Sequence, residues 1–246
     1  MLSVIVITKN EAHNIARCLE SVCWADELIV LDSGSTDDTV TIAKGYTPHV
    51  HYAPWEGYGV QKQRALQAAT GDWVLNLDAD EFVTQSLKQA MQAAMASNHW
   101  DACRIPIRMC FGQKTLNYSS SPTRHARLFK REGAAFSADV VHEKIILPQG
   151  ARIVQLRTPI LHYSYVDVSH ALDKLNRYSS YSASIRLGHQ KKSGLLQAIV
   201  SSTWMFVRCY FLQRGFLDGR EGFLFAVLSA QGSFFRKIKQ LYPDKA

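Results

Sequence analysis

The chain has 246 residues, 47% of them hydrophobic, which is enough for a sizeable core and typical of an ordinary globular protein. Residues 1–100 carry 6 Lys or Arg and 12 Asp or Glu, whereas residues 101–246 carry 22 and 9, for a net charge of +7. This asymmetry indicates an acidic half that could hold a cation and a basic half that faces nucleic acid, anionic lipid or a phosphorylated glycan. A basic surface that serves only solubility is the alternative.

The five cysteines argue against a disulfide framework and against a zinc site, because their number is odd and no Cys-x-x-Cys pair occurs. Reduced thiols in the cytoplasm are the simpler interpretation. The apolar run Leu2–Ile7 has no basic region before it and is too short for a signal peptide. We therefore expect a cytoplasmic protein.

Apolar strands alternate with helices along the first 77 residues. The predicted strands are Leu2–Ile7, Glu27–Asp32, His49–Tyr52 and Asp72–Leu77. Helices are predicted from Asn10 as N-cap to Val22, after a capping box of Ser35 and Asp38, and from Tyr58 to Ala69. This order predicts an α/β fold with an open, mostly parallel sheet, in which ligands bind beyond the carboxyl ends of the strands.

Two carboxylates, Asp78 and Asp80, follow the fourth strand where it should break into a loop. Residues two apart in an extended segment point the same way, and such a pair suits a hard divalent cation that also holds substrate phosphates. Alone, Asp-x-Asp is more often a solvated turn. Polar residues at two further strand ends, Thr8–Glu11 and Asp32, favour the metal site because parallel strands end at one edge.

Two common phosphate-binding loops are absent from the sequence. The segment Thr8–Glu11 has no glycine, so the first strand is not followed by Gly-x-Gly-x-x-Gly, and no Gly-x-x-x-x-Gly-Lys occurs. Carboxylates with a divalent metal are the other way to hold a nucleotide diphosphate.

The segments Val4–Glu11, Val30–Thr39 and Asp78–Glu81 together resemble the family 2 inverting glycosyltransferases of the GT-A fold. The resemblance implies that the first two segments bind the base and ribose of a nucleotide sugar, that the third contacts the ribose or diphosphate and a metal, and that a basic residue of the preceding helix lies near the nucleotide. The residues concerned are Thr8, Asn10, Glu11, Asp32 and Ser35 for the nucleotide, Asp78 for the ribose or diphosphate, Asp80 for Mg²⁺ or Mn²⁺, and Lys62 or Arg64 for the basic residue.

Basic residues are concentrated after a further predicted helix, Ser86–Ala96, and a predicted strand, Asp101–Phe111. The nine residues Thr123–Arg131 include four Lys or Arg and one His. Arg124 and Arg127 are our candidates for contact with phosphate or another acidic group on the acceptor. A solvated edge strand protected by charge is the alternative.

Glu143 is the candidate catalytic base. His142-Glu143 is not a His-Glu-x-x-His zinc motif, because position 146 is Ile. A Glu among apolar neighbours can have a raised pKa and take the proton of an acceptor hydroxyl, and lipopolysaccharide-core members of the family have a similar Val-His-Glu segment. A surface Glu in a salt bridge is the alternative. His162 follows an apolar strand and is ordinarily structural, but the resemblance makes it a second candidate metal ligand.

Aromatic and basic residues are interleaved from Leu195 to Leu241, after a predicted helix from Ser169 to Leu187. Amphipathic helices of this composition suit a membrane interface with anionic lipid. The apolar run Leu195–Val207 has 13 residues, whereas a spanning helix needs about 20. A helical subdomain packed on the sheet is the alternative.

We therefore predict a nucleotide-sugar-binding half (1–100), an acceptor-side half (101–168) and a membrane-proximal helical segment (169–246). By resemblance, the protein is a metal-dependent inverting glycosyltransferase that moves glucose from UDP-glucose to an inner-core heptose of lipopolysaccharide, peripheral on the cytoplasmic face of the inner membrane. A catalytically inactive module that binds a sugar nucleotide or an anionic glycan is the alternative. The sequence contains no RNA-binding motif, so we expect no nucleic acid partner.

Overall fold

The chain divides into two compact units in a computed structural model that describes residues 1–119, 123–137, 144–165, 167–188 and 194–242. Unit 1 comprises Met1–Ile107 and Thr123–His162, and unit 2 comprises Arg108–Pro122 and Tyr163–Ala246. The division at residues 100 and 168 separates parts by their expected functions, and it stays a prediction.

Unit 1 contains most of the strands and the first four helices. In chain order they are β1 Leu2–Thr8, α1 Ile15–Glu20, β2 Glu27–Asp32, α2 Thr39–Lys44, β3 Val50–Tyr52, α3 Tyr58–Ala68, β4 Trp73–Asp78, β5 Glu81–Phe82, α4 Gln85–Ala96, β6 Ala102–Phe111, β8 Thr123–Lys130, β9 Ala135–Phe136, β10 Ile145–Ile146, β11 Ile153–Gln155 and β12 Ile160–Tyr165. Strands β6 and β12 begin in unit 1 and end in unit 2. The strands and helices predicted up to residue 111 are all found, mostly within one or two residues of the expected bounds.

The sheet of unit 1 begins with four parallel strands in the order β3-β2-β1-β4. Strand β8 then pairs antiparallel with β4, and β6 pairs antiparallel with β8. β5 pairs antiparallel with β12. The predicted α/β class with an open, mostly parallel sheet and C-terminal helices is confirmed.

Apolar side chains cover both faces of the first strands, as the uninterrupted hydrophobic runs predict for buried parallel strands. On one face Val4, Val30 and Leu75 pack with α1 and α4, and on the other Ile5 and Ile29 pack with α3. This double burial fixes where β1, β2 and β4 end, and with them the polar residues that follow.

Both predicted helix caps in the loops after β1 and β2 are wrong. Helix α1 begins at Ile15 after Asn14, whereas Asn10 lies in the left-handed region with φ 56°. Helix α2 is preceded by Asp38 without a side-chain cap, because the Ser35 hydroxyl donates to Asp32. Asn and Ser also bond to nearby loop backbone, and that alternative prevails here.

Unit 2 is largely helical. Its elements are the short strand β7 Lys114–Thr115, α5 Val168–Gly188, α6 Leu195–Val207, a π-helical turn Arg208–Leu212, a 3₁₀ turn Gly215–Asp218 and α7 Gly219–Leu241. Its core includes Phe111, Leu116 and Phe225. Lys239 of α7 joins α5 by donating to Asn176, Ser179 and Ser180, so α5 and α7 are tied by polar as well as apolar contacts.

Among the described residues, one helical stretch is long and apolar enough to cross a membrane by length and composition. It is Leu195–Leu212, 18 residues of which 11% are buried. The expectation that this segment does not span a bilayer stays a prediction.

We expect Gly71→Ala to destabilise unit 1 by about 1–3 kcal/mol, because the new methyl group would lie 2.7 Å from Ser3 Oγ and 2.8 Å from the Ser3 backbone nitrogen. Gly232→Ala in α7 is the matched control, since its methyl group would meet only Leu175 Cγ at 3.9 Å. Ala is a better helix former than Gly, so the control should be neutral or slightly stabilising. Urea unfolding of both variants measures the difference, and equal midpoints would contradict the expectation.

Candidate active site

The ends of three neighbouring strands form the candidate site in unit 1. Thr8 of β1 lies in register with Asp32 of β2, and Ile7 lies in register with Asp78 of β4. Paired strands lie about 5 Å apart, so these strand ends are immediate neighbours. The predicted convergence of polar residues at one edge is therefore present in the fold.

The loops after β1 and β2 are joined to each other by side chains. Asp32 is 4% exposed and accepts hydrogen bonds from the backbone N–H groups of Gly34 and Ser35 at 2.8 and 2.9 Å. The Asn10 N–H donates to Ser35 Oγ at 2.8 Å, and Asn10 Oδ1 accepts from the Thr36 N–H at 2.8 Å. The nucleotide candidates Asn10, Asp32 and Ser35 thus belong to one hydrogen-bonded loop pair.

Thr8 and Glu11 complete this loop pair. The hydroxyl of Thr8 is buried and has no hydrogen-bond partner within the part of the chain that the structure describes. A buried hydroxyl without a partner is costly, so a bound molecule that supplies one would be stabilised there. The backbone N–H of Glu11 donates to Thr39 Oγ1 at 2.8 Å, which attaches the loop to α2.

Four charged side chains form what we call the buried charge cluster: Lys62, Asp78, Glu81 and Arg127. Asp78 lies 3.1 Å from Lys62 Nζ and 3.0 Å from Arg127, and Glu81 lies 2.8 Å from Arg127. Glu81 also accepts the backbone N–H of Asp78 at 2.9 Å. Lys62, Glu81 and Arg127 are buried and Asp78 is partly exposed, and the two cations face the two carboxyl groups.

The cluster shifts the pKa values of its two carboxyls in opposite directions. Desolvation would raise the pKa of Asp78, but the positive charges of Arg127 and Lys62 outweigh it and hold this pKa well below its usual range. Burial raises the pKa of Glu81 to about 7, against the opposing effect of Arg127 and with a further increase from Asp78. Asp78 is therefore the carboxylate that stays ionised.

Asp80 and His162 are in direct contact, with 2.8 Å between Asp80 Oδ2 and His162 Nε2. The contact arises because β12 pairs with β5 and places His162 opposite Glu81, next to Asp80. Burial lowers the pKa of His162, but the hydrogen bond to Asp80 and nearby negative charges give a net increase. The two predicted metal ligands are thus brought together. The expectation that Asp78 and Asp80 point the same way assumed an extended segment, whereas the strand ends at Asp78 and Asp80 lies in a turn.

The two candidate arginines on β8 differ in surroundings. Arg124 is exposed, whereas Arg127 is 6% exposed and its guanidinium, expected to contact an anionic acceptor, is instead bound by Asp78 and Glu81. Lys62, expected near the nucleotide, is likewise buried against Asp78. Arg64 pairs with Glu56 at 2.6 Å. Glu143, the candidate base, lies outside the described residues.

Sequence reasoning gave no role to two residues that shape the site. Glu81 anchors the turn that carries Asp80, and Gln61 of α3 is buried and donates to Ser33 Oγ at 2.8 Å and to two backbone carbonyls of the loop after β3. The acidic stretch pointed to Glu81 by position alone. Nothing in the local pattern distinguishes a buried glutamine on an amphipathic helix from an exposed one.

Comparison with known proteins gives one family. The sequence model described as Glycosyl transferase family 2 matches residues 3–146. An uncharacterized glycosyltransferase of Rickettsia typhi is 32% identical, over 97% of this chain and 86% of that protein. The lipopolysaccharide core biosynthesis glycosyltransferase LpsC of Rhizobium meliloti is 30% identical, over 100% of this chain and 94% of that protein. Among solved structures, S. aureus TarS 1–349 has a TM-score of 0.49 at 17% identity, covering 95% of this chain and 90% of that one.

We expect Arg127→Met to lower the free energy of unfolding by about 3–5 kcal/mol, because it leaves Glu81 and Asp78 with too little positive charge. Arg124→Met, an exposed change on the same strand, should stay within about 0.5 kcal/mol. Urea unfolding provides the measurement.

A double-mutant cycle with Glu81→Gln separates charge from packing. If the cluster is held by its charges, the double variant Arg127→Met/Glu81→Gln should lose less stability than the sum of the single changes. Additive losses, or an Arg127→Met variant as stable as Arg124→Met, would contradict this interpretation.

Proposed function

The chain belongs to glycosyl transferase family 2, and on that premise we propose that it transfers glucose from UDP-glucose to a heptose of lipid-linked lipopolysaccharide inner core, with inversion at the anomeric carbon. The observation that carries the proposal is the gathering of Thr8, Asp32 and Asp78 at one sheet edge beside the Asp80–His162 contact. The acceptor class is supported by LpsC, which aligns with the whole chain. We propose a β-1,4 linkage, on the ground that the sequence resembles lipopolysaccharide-core β-1,4-glucosyltransferases of the family.

The donor's base and ribose would lie against the loops after β1 and β2. Asp32 holds the Gly34–Ser35 turn, and Asn10 holds the facing loop, so both surfaces are preorganised before a nucleotide binds. The unpartnered Thr8 hydroxyl supports a polar ligand at this place. Asp78, kept ionised by Lys62 and Arg127, would accept from the ribose or orient the turn below the diphosphate.

Asp80 and His162 would hold Mg²⁺ or Mn²⁺. Carboxylate oxygen suits both ions, whereas imidazole nitrogen favours Mn²⁺ over the harder Mg²⁺. No group of three or more His, Cys, Asp or Glu is arranged for a metal among the described residues, which fits a site completed by the donor's phosphate oxygens. The bound ion would supply stabilisation of the negative charge on the departing diphosphate.

Glu143 would act as the general base. An acceptor hydroxyl is a poor nucleophile until its proton is removed, and a carboxylate within hydrogen-bond reach can take that proton. The oxygen would then form its bond to the anomeric carbon on the face opposite UDP, while the bond to the UDP oxygen breaks and UDP leaves. Attack from the opposite face inverts the configuration.

On the acceptor side, exposed Arg124 would contact an acidic group of the glycan. A lipid-linked acceptor implies that the protein works peripherally on the cytoplasmic face of an inner membrane, where anionic lipid would attract the basic C-terminal region. A second candidate function, a sugar-nucleotide or anionic-glycan binding module without chemistry, would use the same Asp32 and Asp80 but no base.

Two substitutions separate the enzyme from the binding module. We expect UDP-glucose hydrolysis that depends on Mn²⁺ or Mg²⁺, a loss of at least about 100-fold in Asp80→Ala, and a loss of about 10²–10⁴-fold in Glu143→Gln with donor binding intact. The controls are Asp72→Ala and Glu132→Gln, both exposed and outside the site, which should stay within about twofold. Unchanged turnover in Glu143→Gln would contradict the role of Glu143 as general base. The absence of turnover in the native chain would favour the binding module.

The sugar and acceptor can be tested with radiolabelled nucleotide sugars and purified lipopolysaccharide truncations. We expect incorporation from UDP-glucose into truncations that end in inner-core heptose and none into truncations that lack it, because the acceptor hydroxyl must lie within reach of the base. Labelling from another UDP-sugar but not from UDP-glucose would contradict the assignment of the donor. Labelling of heptose-free acceptors would contradict the assignment of the acceptor.

A further inference from the structure

A buried carboxylate in unit 2 joins two segments that lie about a hundred residues apart in the sequence. Asp218 is 2% exposed and accepts the backbone N–H groups of Asn117, Tyr118 and Ser119 at 2.8, 2.9 and 2.7 Å, and the Ser119 hydroxyl at 2.6 Å. Desolvation would raise the pKa of Asp218, but these hydrogen bonds give a net decrease. The loop 117–119 is thereby fixed to the 3₁₀ turn.

Two glycines allow the same turn to pack backbone against backbone. A methyl group on Gly222 would lie 2.1 Å from the Gly215 carbonyl oxygen, and one on Gly215 would lie 2.5 Å from the Cys209 carbonyl oxygen. Such contacts leave no room for a side chain, so the start of α7, the 3₁₀ turn and the π-helical turn form one rigid corner.

This rigid corner presents apolar side chains outward. Phe211 and Leu212 are 55% and 62% exposed, and Phe216 and Leu217 are 47% and 52% exposed. The Tyr210 ring contacts both Phe211 and Phe216, at 5.1 and 6.2 Å between centroids. We call Phe211, Leu212, Phe216 and Leu217 the apolar tip. Because the corner is packed backbone against backbone, these side chains stay exposed, and a patch of this kind marks an interaction surface.

The charge around the apolar tip is positive. Arg208, Arg214 and Arg220 are exposed, and the sequence has no Asp or Glu from 195 to 217. Of the two acids that follow, Asp218 is buried and Glu221 is half-buried. Arg214 has φ 61°, a left-handed conformation that Gly or Asn adopts at lower cost.

We propose that the apolar tip inserts into the interface of an anionic bilayer while Arg208, Arg214 and Arg220 contact lipid phosphates. Large exposed apolar residues with exposed arginines close to them in the sequence match the chemistry of that interface. A second copy of the chain fits less well, because a two-fold contact through the tip would bring arginines of like charge together. The proposal deepens the proposed function, on which it rests for the need to reach a lipid-linked acceptor.

Flotation of the full chain with lipid vesicles tests the proposal. The chain should float with vesicles of phosphatidylcholine and phosphatidylglycerol and much less with phosphatidylcholine alone. Phe216→Ser/Leu217→Ser should lower the partition coefficient at least about tenfold, because two large apolar side chains are lost. The matched control Phe235→Ser/Leu241→Ser changes two exposed residues of α7 outside the tip and should stay within about twofold. Equal flotation of both double variants would overturn the proposal.

Arg214→Asn provides a second variant whose folding should be intact, because Asn tolerates the left-handed conformation. It should lower binding to anionic vesicles by about fivefold and leave binding to neutral ones unchanged. Unchanged binding to anionic vesicles would contradict the proposed contact between Arg214 and lipid phosphate. Retention after alkaline extraction would show a spanning helix, and a dimer lost in Phe216→Ser/Leu217→Ser would show self-association; either would overturn it.

Hydrolysis of UDP-glucose without vesicles separates this proposal from the proposed function. Flotation without hydrolysis of the donor would support the membrane contact and contradict the proposed enzymatic function. Hydrolysis without flotation, at the same rate in the native chain and in the tip variant, would support the enzymatic function and contradict the membrane contact.

Discussion

The buried charge cluster is the interaction on which the candidate site depends. Asp78 ends β4, Glu81 begins β5, Lys62 lies on α3 and Arg127 lies on β8, so four elements meet through two cations and two carboxyl groups. Removing charges from water costs several kcal/mol per ion, and the cost is offset only while each charge keeps its partners. Asp80 lies in the turn between Asp78 and Glu81, so its position follows from theirs.

The contact between Asp80 and His162 depends on chain topology rather than on local sequence. The two residues are 82 positions apart, and they meet because β12 pairs with the two-residue strand β5. Since Glu81 of β5 also accepts the backbone N–H of Asp78, one short strand connects the charge cluster to the histidine. Both metal-ligand candidates therefore rely on β5, whose length alone would give it little stability.

The sequence was informative where burial is continuous and uninformative where side chains choose among partners. The apolar runs of β1, β2 and β4 predicted the strands and their common edge, because strands buried on both faces leave an unambiguous pattern. The caps assigned to Asn10 and Ser35 are wrong, since both side chains form hydrogen bonds between two loops, to residues 25 and 26 positions away. Arg127 resembled a surface arginine because its two carboxylate partners lie 46 and 49 residues away.

The basic residues after residue 100 fall into two groups, one paired with acidic residues and one not balanced by them. Part of their charge is neutralised inside unit 1, where Arg127 binds Asp78 and Glu81 and where Lys130 and Arg152 bind Asp101. Residues 169–246 hold 12 Lys or Arg against 4 Asp or Glu. One of those acids, Asp218, is buried and accepts hydrogen bonds from backbone N–H groups. The charge left to attract an anionic partner therefore lies mainly in the helical C-terminal region, on the same unit as the apolar tip.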